Sequence, residues 1–189
     1  MTQQGKNAID LVLAESLIEL SAKKPIDKIT IKEITDKAGV IRPTFYNHFQ
    51  DKYELIEWII KTELLEPIKP LLNAGMIFEA IVLMLNNISA NSVFYKKALK
   101  LEGAVTFNQI AMKCVCEMFM NIISENSTGK KSKYRWLTPE VISTYYAQSL
   151  CFITEGWIAQ GMDDIEPKEM AEAYMYLITR SMDDILSEL

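Results

Sequence analysis

Arg42, Thr44, Tyr46, Asn47 and His48 put a guanidinium, two hydroxyls, a carboxamide and an imidazole into one short stretch, with Thr30 and Lys52 on either side. Groups of this kind donate and accept hydrogen bonds. They suit phosphate oxygens and the donor and acceptor edges of base pairs. Bond-making chemistry has far less to work with. His48 is the single histidine, so no Ser-His-Asp or Cys-His site can be assembled away from it. Cys114, Cys116 and Cys151 form no Cys-x-x-Cys, and Cys114 and Cys116 would project about 200° apart on a helix. There is no phosphate loop and no metal-ligand spacing. The chain reads as a non-enzyme that needs no cofactor and no metal.

The elements that must position those groups lie in Thr30–Lys52, TIKEITDKAGVIRPTFYNHFQDK. Thr30 and Glu33 fit a capping box at the start of a helix. Ile31, Ile34 and Ala38 share one face of it, and Gly39 can end it in the left-handed conformation. Pro43 is tolerated only in a first turn, which starts a second helix near Arg42. With Phe45 and Phe49 facing inward, Pro43, Thr44 and Asn47 face outward. Tyr46 and His48 then flank them, and Arg42 sits at the exposed N-terminal end. Asp51 and Glu54 can cap the next helix and leave Lys52 beside its N-terminus, a favourable place for phosphate. A polar, solvated face on a small bundle helix would have the same spacing, so spacing alone leaves both readings open.

The string AGVIRPTFYNHFQDKYELIEWI resembles the TetR family of one-component bacterial transcriptional regulators. The resemblance rests on Gly39, on Thr44-Phe45-Tyr46-Asn47-His48-Phe49, and on Asp51-Lys52 with Leu55. It runs from the first helix through Trp58. It implies double-stranded DNA as partner, with Thr30, Thr44, Tyr46, His48 and Lys52 holding phosphates and Arg42, Pro43 and Asn47 reaching base edges. One position departs from the pattern. Ile41 stands where the family usually has Ser or Thr. Losing such a cap costs about 1 kcal/mol, unless Ile41 packs instead.

The rest of the chain suits a helical body. Of 189 residues, 49 % are hydrophobic, and only seven are glycine and six proline. That composition favours an all-α fold over a many-turned β fold. The architecture that the TetR resemblance implies is a three-helix helix-turn-helix head with its linking helix over residues 1–66, then a ligand-binding and dimerisation body over 67–189. It has about nine helices in all. Pro67 and Pro70 should break the pattern between head and body. Residues 1–52 carry eight Lys and Arg against seven Asp and Glu, and the remainder twelve against eighteen. DNA contact must therefore be local, with the acidic body turned away from phosphate. With no signal peptide and no long apolar span to be read, the expected compartment is the cytoplasm, with reduced thiols and no membrane association.

In the body, Phe78, Met84, Phe94, Phe107, Met112, Met118, Phe119, Tyr145 and Phe152 could line an adaptable apolar pocket. The same side chains would equally fill a helical core. Glu125–Lys133 reads as a solvated basic loop. The segment EGWIAQGMDDIEPKEMAEAYMYLI is similar to the last helix pair of TetR-like regulators, which implies a homodimer interface at Leu150, Ile153, Trp157, Tyr174, Leu177 and Ile178. NNISANSVFYKKAL and Tyr134-Arg135-Trp136 resemble the TetR-type regulators associated with dihydroxyacetone kinase operons. The expectation is a regulator, a repressor by preference, that binds a palindromic operator as a dimer under control of a small ligand or a partner protein. The alternative is a coregulator or adaptor of a dihydroxyacetone-kinase-type operon that acts through a protein partner.

Overall fold

Two of the head's helices begin where the sequence supplies a side-chain cap. The computed structural model describes residues 3–103, 105–126 and 132–188, with side chains for 8–103, 105–125 and 132–188. Most of the basic loop expected at 125–133 lies outside the described residues. Helix α1, Gln3–Ser21, buries Leu13, Ala14 and Leu17 and closes with the Ser21 hydroxyl donating to the Ile18 carbonyl at 2.6 Å. A 3-10 turn, Ile26–Lys28, leads to α2, Ile31–Ala38. The capping box forms: Glu33 N donates to Thr30 Oγ1 at 3.3 Å, and Thr30 N donates to Glu33 Oε2 at 2.9 Å. Gly39 ends α2 at φ +69°, a left-handed conformation that costs glycine little. Helix α3 is Arg42–Tyr46, and α4 is Lys52–Ile59. Asp51 Oδ1 caps α4, accepting from Tyr53 N at 2.8 Å and Glu54 N at 2.9 Å.

The linker departs from expectation. Pro67 and Pro70 do not break the helical path. A π-helical segment, Ile60–Leu65, continues α4, and α5, Glu66–Asn73, follows directly. In an α-helical register the Glu63 carbonyl would need the amide hydrogen that Pro67 lacks. It accepts instead from Asn87 Nδ2 at 2.9 Å, and Glu66 N bonds back to the Lys61 carbonyl in the wider π register.

Helix α6, Ile77–Ala90, packs on α5 and on α10, Pro167–Thr179. Helix α7, Ser92–Ala98, turns away from α6 by 88°. Helix α8, Phe107–Asn126, packs along α9, Pro139–Ala159, which Thr138 caps through Val141 N at 3.4 Å. Helix α11, Met182–Glu188, is separate from α10 because Ser181 and Asp184 cap a new start. The described residues thus form eleven α-helices rather than about nine, α5 and α11 being the additions. Among them no single helix is long and apolar enough to cross a membrane.

The core corrects two expectations for the body. The buried stripe of α9 is Ser143, Ala147, Leu150, Cys151, Trp157 and Ile158. Tyr145 and Phe152 lie on its other face, 64 % and 76 % exposed, so they do not line an internal pocket. Leu150, Trp157 and Tyr174 are buried within one chain and cannot face a partner. Trp157 Nε1 even spends its proton on the Ile165 carbonyl at 2.9 Å. Leu177 is exposed, and Ile153 and Ile178 are half-buried.

Of the expected pocket residues, Met84 and Phe107 line a cavity, together with Ile60, Leu64 and Leu65 of the π-helical segment and Ile88, Tyr95 and Thr154. Phe94 and Met118 are buried, and Phe78, Met112 and Phe119 are half-buried, but they are not part of its wall. The cavity holds about 40 Å³. That is room for a water molecule, against several hundred Å³ for a typical ligand site. The Tyr95 and Thr154 hydroxyls have no hydrogen-bond partner among the described residues, and burial pushes the Tyr95 phenol well above its ordinary pKa.

Candidate nucleic-acid interface

Phe45 and Phe49 anchor the second helix of the helix-turn-helix, fully buried with ring centroids 5.8 Å apart. Phe49 also meets Trp58 of α4 edge-on at 6.3 Å. The side of α3 away from this anchor carries Arg42, Pro43, Tyr46 and Asn47, all exposed, with Thr44 half-buried. Arg42 has no ion-pair partner among the described residues. The neighbouring basic residues do: Lys32 meets Asp36 at 3.3 Å, and Lys37 pairs with Glu19. An unpaired guanidinium beside a hydroxyl, a phenol and an amide is equipped to donate to guanine acceptors, to adenine or to phosphate.

His48 is placed otherwise than expected. Helix α3 stops at Tyr46, and His48 N bonds to the Phe45 carbonyl at 2.9 Å in a tighter turn. The helical wheel therefore no longer applies at position 48. Its imidazole is 1 % exposed and sits with Nδ1 2.6 Å from Asp10 Oδ1. A buried ring cannot hold a phosphate, so that assignment is withdrawn. His48 instead ties the end of the reading helix to α1. The signal for this lay in Asp10. It falls on the same face as Leu13 and Leu17, and a carboxylate on a buried stripe needs a partner.

Lys52 also points inward. Its Nζ donates to the carbonyls of Ile26 at 3.0 Å, Asp27 at 2.8 Å and Ile29 at 3.2 Å. All three ammonium protons are therefore engaged by the 3-10 turn that presents α2. Burial draws its pKa below the ordinary lysine value, with Asp27 opposing. Thr30 is exposed, but its hydroxyl serves the capping box. Glu33 of that box is held at a pKa of about 2, first by the hydrogen bond from Lys24 at 2.5 Å, then by the Thr30 amide and hydroxyl. Ile41 does not pack. It occupies the N-cap of α3 with no side-chain cap bond and is 69 % exposed.

Among the described residues there is no group of three or more His, Cys, Asp or Glu that could hold a metal ion. Burial pushes the Cys114 and Cys151 thiols up to about 12, so neither is a thiolate near neutral pH.

Residues 15–59 match "Bacterial regulatory proteins, tetR family", and residues 76–180 match "Transcriptional regulator C-terminal region" of the same family. The chain is 26 % identical over 152 residues to the HTH-type dhaKLM operon transcriptional activator DhaS of Lactococcus lactis subsp. lactis, covering 79 % of each. A solved structure of the dihydroxyacetone kinase operon activator DhaS superposes with a TM-score of 0.63 at 21 % identity, over 90 % of this chain and 93 % of that one. NalD, the secondary repressor of the MexAB-OprM multidrug efflux pump in Pseudomonas aeruginosa, superposes with a TM-score of 0.59 at 12 % identity, over 92 % and 96 %. The last two likenesses concern the fold. With one match spanning more than half of its length, the chain belongs to the TetR family of DNA-binding transcriptional regulators, and it is a regulator rather than an enzyme.

Proposed function

We propose that the chain reads a near-palindromic operator as a homodimer, placing Arg42, Pro43 and Asn47 against base edges and Thr44, Tyr46 and the α2 start at Thr30 against phosphates. The observation that carries this reading is the exposed, unpaired polar side of α3 over a fully buried Phe45–Phe49 anchor. Two heads on adjacent major grooves would be about 34–36 Å apart. The head comprises residues 1–66 and the body 67–189. Lys52 and His48 act from behind, by fixing the turn and the helix that present the contacts.

The dimer face we assign to the outward side of α9 and α10, where Tyr145, Phe152 and Leu177 are exposed. The cavity between the π-helical segment and α9, at about 40 Å³, is too small to seat a ligand there, which supports control through a partner protein. The likeness to DhaS makes a dihydroxyacetone-kinase-type operon the target of choice. Whether binding recruits or blocks polymerase follows from where the operator lies. The named relatives, an activator and a repressor, have both outcomes on this fold.

Fluorescence anisotropy on the upstream intergenic DNA and on a scrambled duplex, each at two salt concentrations, tests the reading. Two protomers per site and selective binding are expected. Asn47→Ala should relax specificity at one base pair by about 1–3 kcal/mol. Equal affinity for both duplexes, with and without Asn47, would refute it.

A further inference from the structure

We propose that Ile41 is a specificity-determining residue whose side chain packs on the C5-methyl group of a thymine in the major groove, once per half-site. The inference rests on the DNA-reading face assigned above.

Ile41 is an extended residue, φ −86° and ψ 152°, directly before Arg42 and Pro43. Of the large apolar side chains exposed in the head, it is the most exposed, ahead of Tyr46, Leu11 and Val12. Its aliphatic neighbours behave differently. Ile29 and Ile34 are fully buried, and Ile31 and Val40 are half-buried. Two local costs therefore meet at one residue. The α3 N-cap has no side-chain acceptor, and a branched aliphatic chain stands in water. A serine or threonine there would remove both. Sequence choices that break local rules without a folded-state gain are expected at functional positions.

The chemistry of the surroundings narrows the partner. Residues at the start of a recognition helix are the ones that reach base edges. The major-groove edges of all four base pairs are polar except for the thymine methyl, which apolar side chains contact. Ile41 offers an exposed aliphatic surface beside the guanidinium of Arg42. The pair would thus read a thymine next to a base that accepts hydrogen bonds.

Binding sites selected from random duplexes by the intact protein supply the test. Each thymine of the selected site is replaced in turn by deoxyuridine, which removes the methyl group alone. The wild type should lose about fourfold in affinity at one thymine per half-site, the value of one buried methyl. Ile41→Val should keep most of that discrimination. Ile41→Ala and Ile41→Ser should bind the thymine and deoxyuridine duplexes alike. Helical circular dichroism confirms that the variants are folded, which the exposure of Ile41 favours.

If every deoxyuridine duplex binds the wild type as tightly as its parent, the methyl contact is wrong and the regulator reading stands. If Ile41→Ala weakens both duplexes by one factor and leaves the discrimination intact, Ile41 is only structural and the proposal falls. If no sequence is enriched at all, the DNA-reading face itself is wrong, and the methyl contact falls with it.

Discussion

Lys52→Met distinguishes an internal tie from a phosphate clamp. Methionine keeps most of the aliphatic stem and removes the ammonium, so packing changes little. Three carbonyl oxygens lose their donor: those of Ile26, Asp27 and Ile29. A hydrogen bond to a charged group contributes about 1.5–3 kcal/mol. Two facts reduce the sum. The Ile26 carbonyl keeps the Ile29 amide at 3.1 Å, and Lys52 is only half-buried, so water can reach the freed oxygens. The expected loss of stability is roughly 2–3 kcal/mol. With a urea slope of about 2 kcal/mol per molar, the unfolding midpoint should fall by about 1 M. DNA affinity should fall as well, because the turn that presents α2 loosens. The dependence of log K on log salt should stay the same, since no phosphate contact is lost. A phosphate clamp gives the opposite pattern: an unchanged urea midpoint and a salt slope lower by about 1. Observing that pair of results would refute the internal role.

Three further perturbations follow from other parts of the chain. His48→Ala removes the partner of a nearly buried Asp10 carboxylate and should cost about 2 kcal/mol. A double-mutant cycle with Asp10→Ala should return a coupling above 1 kcal/mol, and additive effects would show that the contact contributes nothing. Glu63, half-buried in the π-helical segment, has its pKa raised by burial and by Glu15. The folded chain thus holds this proton more tightly than the unfolded one, so the carboxylate costs stability above its folded pKa and the cost fades as pH falls through it. Glu63→Gln keeps the acceptor for Asn91 Nδ2 and should stabilise the chain at pH 7, with the gain vanishing in acid; a gain that grew in acid would reverse the sign of the argument. Phe152→Glu should halve the mass seen in sedimentation without loss of helix, and an unchanged mass would move the dimer interface elsewhere.

What the sequence disclosed was local. The caps at Thr30, Gly39 and Asp51 each depend on residues within a turn of one another, and each lies where its motif placed it. The inward pair Phe45 and Phe49 also followed from spacing alone. The errors arose where a distant element decides. A wheel assumes an unbroken helix, and α3 ends before His48. Lys52 stands at a helix N-terminus in the sequence, but its acceptors are 23 to 26 residues away. Helix α9 is apolar nearly all round. Periodicity could group Tyr145 with Phe152 but could not say whether they or Leu150 and Trp157 faced the core. Pro67 read as a stop because its remedy, Asn87, lies on another helix.

That same linker offers a path by which a signal in the body would reach DNA. From the Asp51 cap to Asn73 the chain runs as α4, the π-helical segment and α5 with no non-helical residue between them. At its head end, Lys52 grips the turn before α2. Midway along it, Lys61 bridges Glu57 at 2.6 Å and Glu117 of α8 at 2.7 Å, while Lys113 of α8 meets Glu57 at 2.8 Å. Burial raises the Glu57 pKa, yet the hydrogen bonds from Lys113 and Lys61 outweigh it and hold the carboxyl below its ordinary value. Lys61 is raised in turn, its burial outweighed by Glu117 and Glu57. These pairs are partly exposed, so each contributes little to stability. Their consequence is geometric. Helix α8 cannot shift along α4 without dragging or breaking them, and α8 also packs along α9, which bears the exposed aromatic face. In the proposed dimer, the second protomer seated on that face would bear on the same strut that orients the reading helices, which is the physical content of a coupling between two sites.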